Sequence, residues 1–389
     1  MQQALVISFQ SFKKLIFKEE DIQIIIQHWI RISNIKLGWI NNFDKLVVDY
    51  ATTFFMLDTF SSSSKLIKTF IGHTDWVNSI DYSTFNGCQS ICSGSDDKTV
   101  RLWDVNDGKQ IKSFNEHSEY VYCVKFSQYH YHNNRRTVIC SASRDKTIRF
   151  WDFKNSQQMQ MYNGHTGGVN GIEFSSFNGG RYLCSGSDDN TVCLWDIETS
   201  KSLHVFNGHE YGVECVDISP MQSNNNNSNS IGVIGGNGYT ICSGSCDNTI
   251  RIWDIETTKI LITLKGHIYS VCVRLWDIRS GKQIQVFTKH QSHVYSVEYS
   301  PFVVNNIEIG DNSNVICSGS TDNIIRFWDI RSSKKELYLI KGDKKDAGIR
   351  ALKFIPLKTK KKKSTDNRNI GCDINLCYGS LGGLIHIWG

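Results

Sequence analysis

A histidine, a serine, an aspartate and a tryptophan recur together five times along the 389-residue chain. Serine, histidine and aspartate are the residue types of a hydrolytic triad, in which histidine takes the serine proton and aspartate orients the imidazole. An enzyme of that kind needs one preorganised site, and five similar sets do not fit this requirement. The sets are His73, Ser93, Asp97 and Trp103; His117, Ser141, Asp145 and Trp151; His165, Ser185, Asp189 and Trp195; His209, Ser243, Asp247 and Trp253; and His290, Ser318, Asp322 and Trp328.

The same four residue types can satisfy one another's hydrogen bonds inside a protein. The indole donates, the hydroxyl donates and accepts, a neutral imidazole does both, and a carboxylate accepts. A chain from Trp through Ser and His to Asp therefore leaves no buried polar group unpaired. We expect these sets to be structural, with no catalytic residue and no cofactor. We also expect no metal site, because no Cys-x-x-Cys pair or His-Cys cluster has metal-ligand spacing.

The four residues belong to a longer repeat. Around each set, alternating apolar and polar runs are separated by turn residues, which is typical of antiparallel strands. Repeats of about 40 to 45 residues containing Gly-His and Trp-Asp are typical of propeller blades. Over residues 65–389 the sequence resembles the WD-repeat (WD40) β-propeller family, which implies an all-β propeller of four-stranded blades and a buried His, Ser, Asp and Trp tetrad. Trp-Asp occurs at Trp103, Trp151, Trp195, Trp253, Trp276 and Trp328.

The repeat divides the chain into three expected segments. Residues 1–60 form an α-helical N-terminal extension, 61–64 a flexible serine linker, and 65–389 the propeller. Lys65–Phe70 looks like the fourth strand of a blade that has no earlier strands, and the chain stops after a third strand at Trp388. We therefore expect the N-terminal strand to complete the last blade, which closes the ring and leaves no exposed sheet edge.

Seven blade positions are predicted, and the fifth is truncated. His267 and Trp276 are 9 residues apart, whereas His73 and Trp103 are 30 apart, so 21 residues including the second strand are missing. A gap, a two-stranded remnant and re-closure as six blades all remain open. A wrongly assigned coding segment would leave the same sequence.

The last repeat is also unusual, because only the tryptophan of its tetrad remains. It is therefore expected to be the softest of the intact blades. The residues at its tetrad positions are Asp343, Tyr378, Gly382 and Trp388.

The amino-acid composition argues against a nucleic-acid-binding, secreted or membrane-spanning protein. The net charge of +5 equals the number of lysines between 358 and 363, so no broad basic surface for nucleic acid is expected. Six of the 13 cysteines occupy one repeated core slot, which favours a reducing compartment. No apolar run is long enough to cross a membrane. We expect a soluble cytoplasmic or nuclear protein whose insertions, Gln222–Gly238, Phe302–Asn314 and Pro356–Gly371, lie on one face.

The resemblance implies that other proteins or peptides dock across the opposite mouth of the propeller. We expect a non-catalytic scaffold or adaptor without a small-molecule substrate. The alternative is a substrate-recognition subunit of a ubiquitin-ligase-type complex, with residues 19–55 as docking helices. Aromatic and acidic residues outnumber arginines at the docking positions, so a basic peptide fits better than a phosphopeptide. These positions are Trp76, Asn78, Asp96, Tyr120, Tyr122, Arg144, Asn170, Asp188, Glu214, His293, Tyr295 and Arg350.

Overall fold

The computed structural model describes residues 57, 60–62, 64–220, 239–266, 271–278, 280–300, 315–330, 336–356 and 374–389. The lysine run, and nearly all of the predicted helical extension and of the three insertions, lie outside these residues. The chain divides into two compact units, and the larger, Thr59–Phe302 with Asn312–Gly389, contains every described strand. No helix among the described residues is both long and apolar enough to cross a bilayer.

The described residues form seven antiparallel sheets, of which six have four strands and one has two. Consecutive strands are hairpin neighbours within each sheet. The first strand is β1 (Leu66–Ile71), and the first sheet contains β2 (Val77–Ser83), β3 (Ser90–Ser95), β4 (Val100–Asp104) and β5 (Lys109–Phe114). The second contains β6 (Val121–Phe126), β7 (Val138–Ser143), β8 (Thr147–Asp152) and β9 (Gln157–Asn163). The third contains β10 (Val169–Phe174), β11 (Tyr182–Ser187), β12 (Thr191–Asp196) and β13 (Lys201–Asn207).

The remaining sheets follow the same order except at the fifth position. The fourth contains β14 (Val213–Pro220), β15 (Tyr239–Ser245), β16 (Thr249–Asp254) and β17 (Ile260–Lys265). The fifth contains only β18 (Val273–Asp277) and β19 (Lys282–Phe287). The sixth contains β20 (Val294–Tyr299), β21 (Val315–Ser320), β22 (Ile324–Asp329) and β23 (Glu336–Lys341). The last contains β24 (Ile349–Pro356), β25 (Ile374–Ser380) and β26 (Leu384–Trp388), and β1 is its fourth strand. The expected all-β propeller with seven blade positions is therefore confirmed, and the fifth is a two-stranded remnant.

Ring closure follows from the pairing of the first and last strands. β1 runs antiparallel to β26, with Leu66 opposite Trp388 and Ile71 opposite Leu384. Lys65 and Gly389 exchange two further backbone hydrogen bonds of 3.2 Å. Phe70 is fully buried in a cluster that joins this sheet to Val77 and Trp103 of the first sheet. The prediction that the N-terminal strand completes the last blade is confirmed.

The core lies between neighbouring sheets. Cys92 and Leu102 of the first sheet pack against Val121, Val124 and Trp151 of the second. The repeated cysteine slot therefore holds a small apolar side chain, and burial raises the pKa of the Cys92 thiol well above its ordinary value. Each complete sheet is thus stabilised by the apolar faces of its neighbours, as expected for a repeat fold.

Two local features adjoin the strands. A short helix, α1 (Gln128–Asn134), lies between β6 and β7. Within the expected linker, Ser61 and Ser62 have helical backbone, and the Ser64 amide donates to the Phe60 carbonyl over 2.7 Å. Phe60 is buried 6.0 Å from the Phe327 ring, so residues just before β1 are already anchored on the propeller unit.

Candidate protein-interaction face

The five recurring residue sets form five hydrogen-bonded chains of the same geometry. In each, the indole Nε1–H donates to the serine Oγ over 2.7–2.8 Å. The serine Oγ lies 2.7–2.8 Å from the histidine Nε2, and the histidine Nδ1 lies 2.7–2.9 Å from an aspartate oxygen. All five serines are fully or almost fully buried. Each set therefore satisfies the hydrogen-bonding needs of its own buried polar groups.

Local turn geometry places each aspartate. In the first sheet, the other oxygen of Asp97 accepts from the Thr99 amide and hydroxyl over 3.0 and 2.6 Å. The residue between them, Lys98, has φ 68°, and a residue with φ between 62° and 71° occupies the same slot in the four other tetrad sheets. An aspartate that bonds the backbone two residues later favours such a turn. The tight hairpin therefore aims the carboxylate at the histidine.

The electrostatics of the tetrads favour a neutral imidazole beside a charged carboxylate. Burial acts to raise the pKa of Asp97, but the hydrogen bonds from His73 and Thr99 hold it well below its usual range. Burial lowers the pKa of His73 despite that neighbouring carboxylate. The carboxylate can only accept, so Nδ1 carries the proton and the serine donates to Nε2.

The direction of the histidine shift differs in one tetrad. The shifts in the second and fourth sheets have the same directions as those in the first. In the third sheet burial also acts to lower the pKa of His165, but the hydrogen bonds to Asp189 and Cys193 outweigh it and raise the pKa to about 9.

The last sheet contains a different buried network, which sequence reasoning missed. Asp346 is fully buried, and its carboxylate accepts from the Tyr378 hydroxyl over 2.9 Å and pairs with the His386 Nε2 over 2.8 Å. The other nitrogen of His386 lies 3.0 Å from the Thr69 hydroxyl of β1. This network therefore ties the N-terminal strand to the C-terminal one. The available signal was His386 itself, which stands two residues before tryptophan where five other sheets have arginine.

The predicted docking residues Trp76, Tyr295 and Arg350 lie together at the start of three inner strands. The Arg350 guanidinium is 4.4 Å from the centre of the Tyr295 ring and 5.3 Å from that of the Trp76 ring. The two aromatic residues are 48% and 41% exposed. Arginine stacked between aromatic faces is held in one orientation by cation–π attraction, so these residues form a preorganised exposed strip.

A second group of predicted residues surrounds Tyr122. Its ring lies 6.4 Å from the Tyr120 ring, and the Arg144 guanidinium lies 5.6 Å from Tyr120. Burial raises the pKa of Tyr122, and the charges of Arg144, Asp96, Asp188 and Arg350 also act on it. Both halves of the predicted surface are therefore close enough to interact with this phenol.

The predicted asparagines have a different environment. Asn78 donates to Asp96 over 2.6 Å and to the carbonyl of Val121 in the next sheet over 2.9 Å. Asn170 makes the same pair of bonds, to Asp188 and to the carbonyl of Val213. These two side chains link neighbouring sheets and orient the two aspartates.

Two further predicted residues are exposed on other inner strands. Glu214 accepts a hydrogen bond from the Cys246 thiol over 3.1 Å. The His293 ring is 6.2 Å from the Tyr295 ring. They extend the predicted surface onto the fourth and sixth sheets.

A cavity of about 330 Å³ lies between the C-terminal halves of the inner strands, whereas the predicted docking residues lie at their N-terminal ends. Its lining includes Asp81, Lys125, Glu173, Asp217 and Lys353, one from each of five sheets. In the described part of the chain, no group of histidine, cysteine and acidic side chains has the arrangement of a metal site. The twelve cysteines described are all free thiols.

The fold is a β-propeller built from repeats. Its seven antiparallel sheets are joined through apolar faces, and five of them contain the same hydrogen-bonded chain of Trp, Ser, His and Asp. The model of the WD40 family, described as "WD domain, G-beta repeat", matches residues 64–104, 108–152, 156–196, 200–254 and 281–329. These stretches cover more than half of the chain. The protein belongs to the WD40 family.

Several curated proteins are similar over parts of the chain. The U3 small nucleolar RNA-associated protein 15 homolog of Xenopus tropicalis is 40% identical over 62 residues, 16% of this chain and 12% of that protein. The ribosome biogenesis protein WDR12 homolog of Nematostella vectensis is 30% identical over 124 residues, 26% of this chain and 28% of that protein. The anaphase-promoting complex subunit cdc20 of Dictyostelium discoideum is 29% identical over 129 residues, 31% of this chain and 26% of that protein. The chain thus spans less than a third of the length of each of these relatives.

Proposed function

We propose that this protein is a non-catalytic scaffold or adaptor that binds partner proteins or peptides across the mouth lined by Trp76, Tyr295 and Arg350. The observation that carries the proposal is the exposed strip in which Arg350 is stacked between two aromatic rings. Tryptophan, tyrosine and arginine dominate the binding energy of protein interfaces. A rigid strip also loses little side-chain entropy when a partner binds.

Charge points to the kind of partner. Asp188 and Glu214 are exposed near this mouth, and Asp96 lies beside Arg350, whose charge acts on its carboxyl group. Arg350 is held between aromatic rings, which makes it a poor receptor for a phosphate group. A segment with lysine or arginine beside an apolar anchor therefore fits the mouth best.

Affinity purification of the full chain, read by quantitative mass spectrometry, tests the proposal. The variants Trp76→Ala and Tyr295→Ala are each expected to reduce recovery of specific partners at least tenfold. Leu203→Ala is the matched control, because Leu203 is a similarly exposed apolar residue on an outer strand. Partners recovered equally with all three variants would contradict the proposal.

Peptide arrays test the charge preference separately. Lysine- and arginine-rich peptides are expected to bind, and Asp188→Lys is expected to weaken them about fivefold. Binding of phosphopeptides with no binding of basic peptides would overturn this part of the proposal.

The second candidate, a substrate-recognition subunit of a ubiquitin-ligase-type complex, is favoured by the similarity to a relative named as an anaphase-promoting complex subunit. Residues 19–55, the proposed docking helices, lie outside the described residues. Residues 1–60 alone should then capture a ligase subunit, and a truncated chain of residues 62–389 should lose it.

Two relatives are named for ribosome biogenesis and for small nucleolar RNA association, which favours the nuclear alternative for localisation. Imaging of the fluorescently tagged full chain tests this.

A further inference from the structure

Apolar side chains of the strand that follows the fifth sheet are unusually exposed. The fourth residue of the inner strand is 0–7% exposed at Ile80, Val124, Ile172 and Leu352 and partly buried at Val216. In β20, which follows the two-stranded sheet, Val297 is 47% exposed. Tyr299 on the same strand is 58% exposed. The missing strands leave an open space here, which we call the fifth-sheet gap: the free edge of β18, Val297 and Tyr299 of β20, and Asp217 of β14.

The free edge of β18 lacks the partners that the corresponding strands have. β16 pairs with β15 on one side and β17 on the other, whereas β18 pairs only with β19 among the described strands. The Trp276 Nε1 is buried and has no acceptor among the described residues. In five other sheets a serine hydroxyl accepts from this indole position over 2.7–2.8 Å. Among the described residues, the edge therefore lacks a second strand, and the covered indole lacks the acceptor that it has in complete sheets.

The charges beside the gap indicate what the missing inner strand should carry. The fifth residue of each inner strand is charged, and these residues pair around the cavity. Lys125 pairs with Glu173, and Lys353 lies 3.5 Å from Glu298 and 4.0 Å from Asp81. No lysine or arginine of the described residues lies within ion-pair distance of Asp217. β14 and β20 flank the vacant position, so Asp217 and Glu298 present carboxylates on its two sides. A lysine or arginine at this position would lie between the two carboxylates and offset their repulsion.

We propose that the fifth-sheet gap binds a two-stranded β-hairpin from a second protein. One strand pairs with the free edge of β18. The other strand lies beside β20, covers Val297 with a β-branched side chain, and directs a lysine or arginine toward Asp217 and Glu298. Strand addition at an exposed edge obtains affinity from main-chain hydrogen bonds and specificity from alternate side chains.

A second copy of this chain fits the fifth-sheet gap less well than a hairpin from another protein. Its hairpins are already paired within its own sheets, and most of its inner strands carry an acid at the charged position. Such strands would bring a third carboxylate between Asp217 and Glu298. The charge of the gap therefore selects a foreign hairpin with a basic residue. This surface is separate from the mouth strip, so the two proposals can fail independently.

The test uses the full chain and a labelled synthetic peptide of residues 121–143, the β6–β7 hairpin of this protein. It supplies the required basic residue, Lys125 on the inner strand. We expect saturable binding by fluorescence anisotropy, and increased hydrogen-exchange protection of Val273–Asp277. Lys125→Glu in the peptide is expected to weaken binding at least tenfold.

Variants of the protein locate the site. Asp217→Lys and Val297→Asp are each expected to weaken peptide binding at least tenfold. Glu256→Lys, at an exposed acid in the turn after β16, makes the same change of charge and should leave binding unchanged. The same differences are expected in the Trp76→Ala background, where the mouth strip no longer competes for the basic peptide.

Four results would overturn the proposal. These are absence of peptide binding, equal binding by Asp217→Lys and wild type, a dimer of the free chain that Val297→Asp dissociates, and a transcript with about 21 additional codons between Cys272 and Val273. The last result would show that the chain supplies the strands itself.

Discussion

Neither the last repeat nor the fifth repeat contains four consecutive strands in the sequence. The two sheets that they form differ in how they compensate for the missing strands. The last sheet takes its fourth strand, β1, from the other end of the propeller sequence. The fifth sheet is two-stranded in the part of the chain that the structure describes. In the last sheet the polar network is rebuilt around Asp346, whereas in the fifth no described residue accepts a hydrogen bond from the Trp276 Nε1.

The comparison shows that an incomplete repeat is stable in a ring when its apolar face and its polar groups are both satisfied from elsewhere. β1 supplies Phe70 to the core and Thr69 to the polar network, so one strand does both. In the fifth sheet, Val273 and Phe287 pack on Ile316 and Trp328 of the sixth sheet. The two sheets should therefore respond differently to mutation.

The largest effect is expected for Phe70→Ala. Removing a fully buried phenylalanine from the closing strand should lower the free energy of unfolding by about 3–5 kcal/mol, measured by urea denaturation. Ile71→Ala on the same strand is the control, because Ile71 is mostly exposed. Phe287→Ala, in the corresponding slot of the fifth sheet, should cost less because that sheet is incomplete. A larger loss for Phe287→Ala would contradict the comparison.

The next effect concerns Asp346 and depends on pH. Asp346→Asn should lower the free energy of unfolding by about 1–3 kcal/mol at pH 7, because it weakens a buried charged network. Burial acts to raise the pKa of Asp346, but the hydrogen bonds from His386 and Tyr378 hold it below the ordinary value of 3.8.

A group with a lowered folded pKa stabilises above its unfolded pKa, and this contribution disappears as pH falls through the folded value. The deficit of the variant should therefore shrink below pH 3.8. Denaturation curves at several pH values that show a constant deficit would exclude a charged Asp346.

A pair of tryptophan variants compares a satisfied indole with an unsatisfied one. Trp253→Phe removes a 2.7 Å hydrogen bond to Ser243 and should cost about 1–3 kcal/mol. Trp276→Phe removes the same atoms but no hydrogen bond among the described residues, and should change stability by less than about 0.5 kcal/mol. Equal losses in thermal or urea unfolding would mean that the Trp276 indole has an acceptor after all.

The smallest effect is expected for Thr69→Val. This change keeps the shape of the side chain and removes its 3.0 Å contact with His386, so it should cost about 0.5–1.5 kcal/mol. Thr263→Val, at an exposed position of β17, is the control and should be neutral. If the two variants are equally stable, the polar link between β1 and β26 contributes nothing to closure.

The repeat, the strand order and the closing strand could be predicted from the sequence, because each depends on motifs of a few neighbouring residues. Gly-His, Ser-Gly-Ser and Trp-Asp have fixed positions within a blade, so their order fixes which strand pairs with which. The sequence did not predict the Asp346 network, because Asp346, Tyr378, His386 and Thr69 share no motif. It also did not predict that Asn78 and Asn170 bridge neighbouring sheets, since the acceptors are backbone carbonyls that carry no sequence signal.

The sequence by itself determined the family, the number of blade positions and the location of the truncation, because hydrophobic alternation and turn residues act over a few neighbouring positions. The tertiary structure alone decided how each defect is resolved. Whether a strand is covered, or an indole finds an acceptor, depends on groups from distant parts of the chain that meet only after the ring has closed. For that reason the exposure of Val297 and the stacking of Arg350 on Tyr295 and Trp76 could be found only in the folded protein.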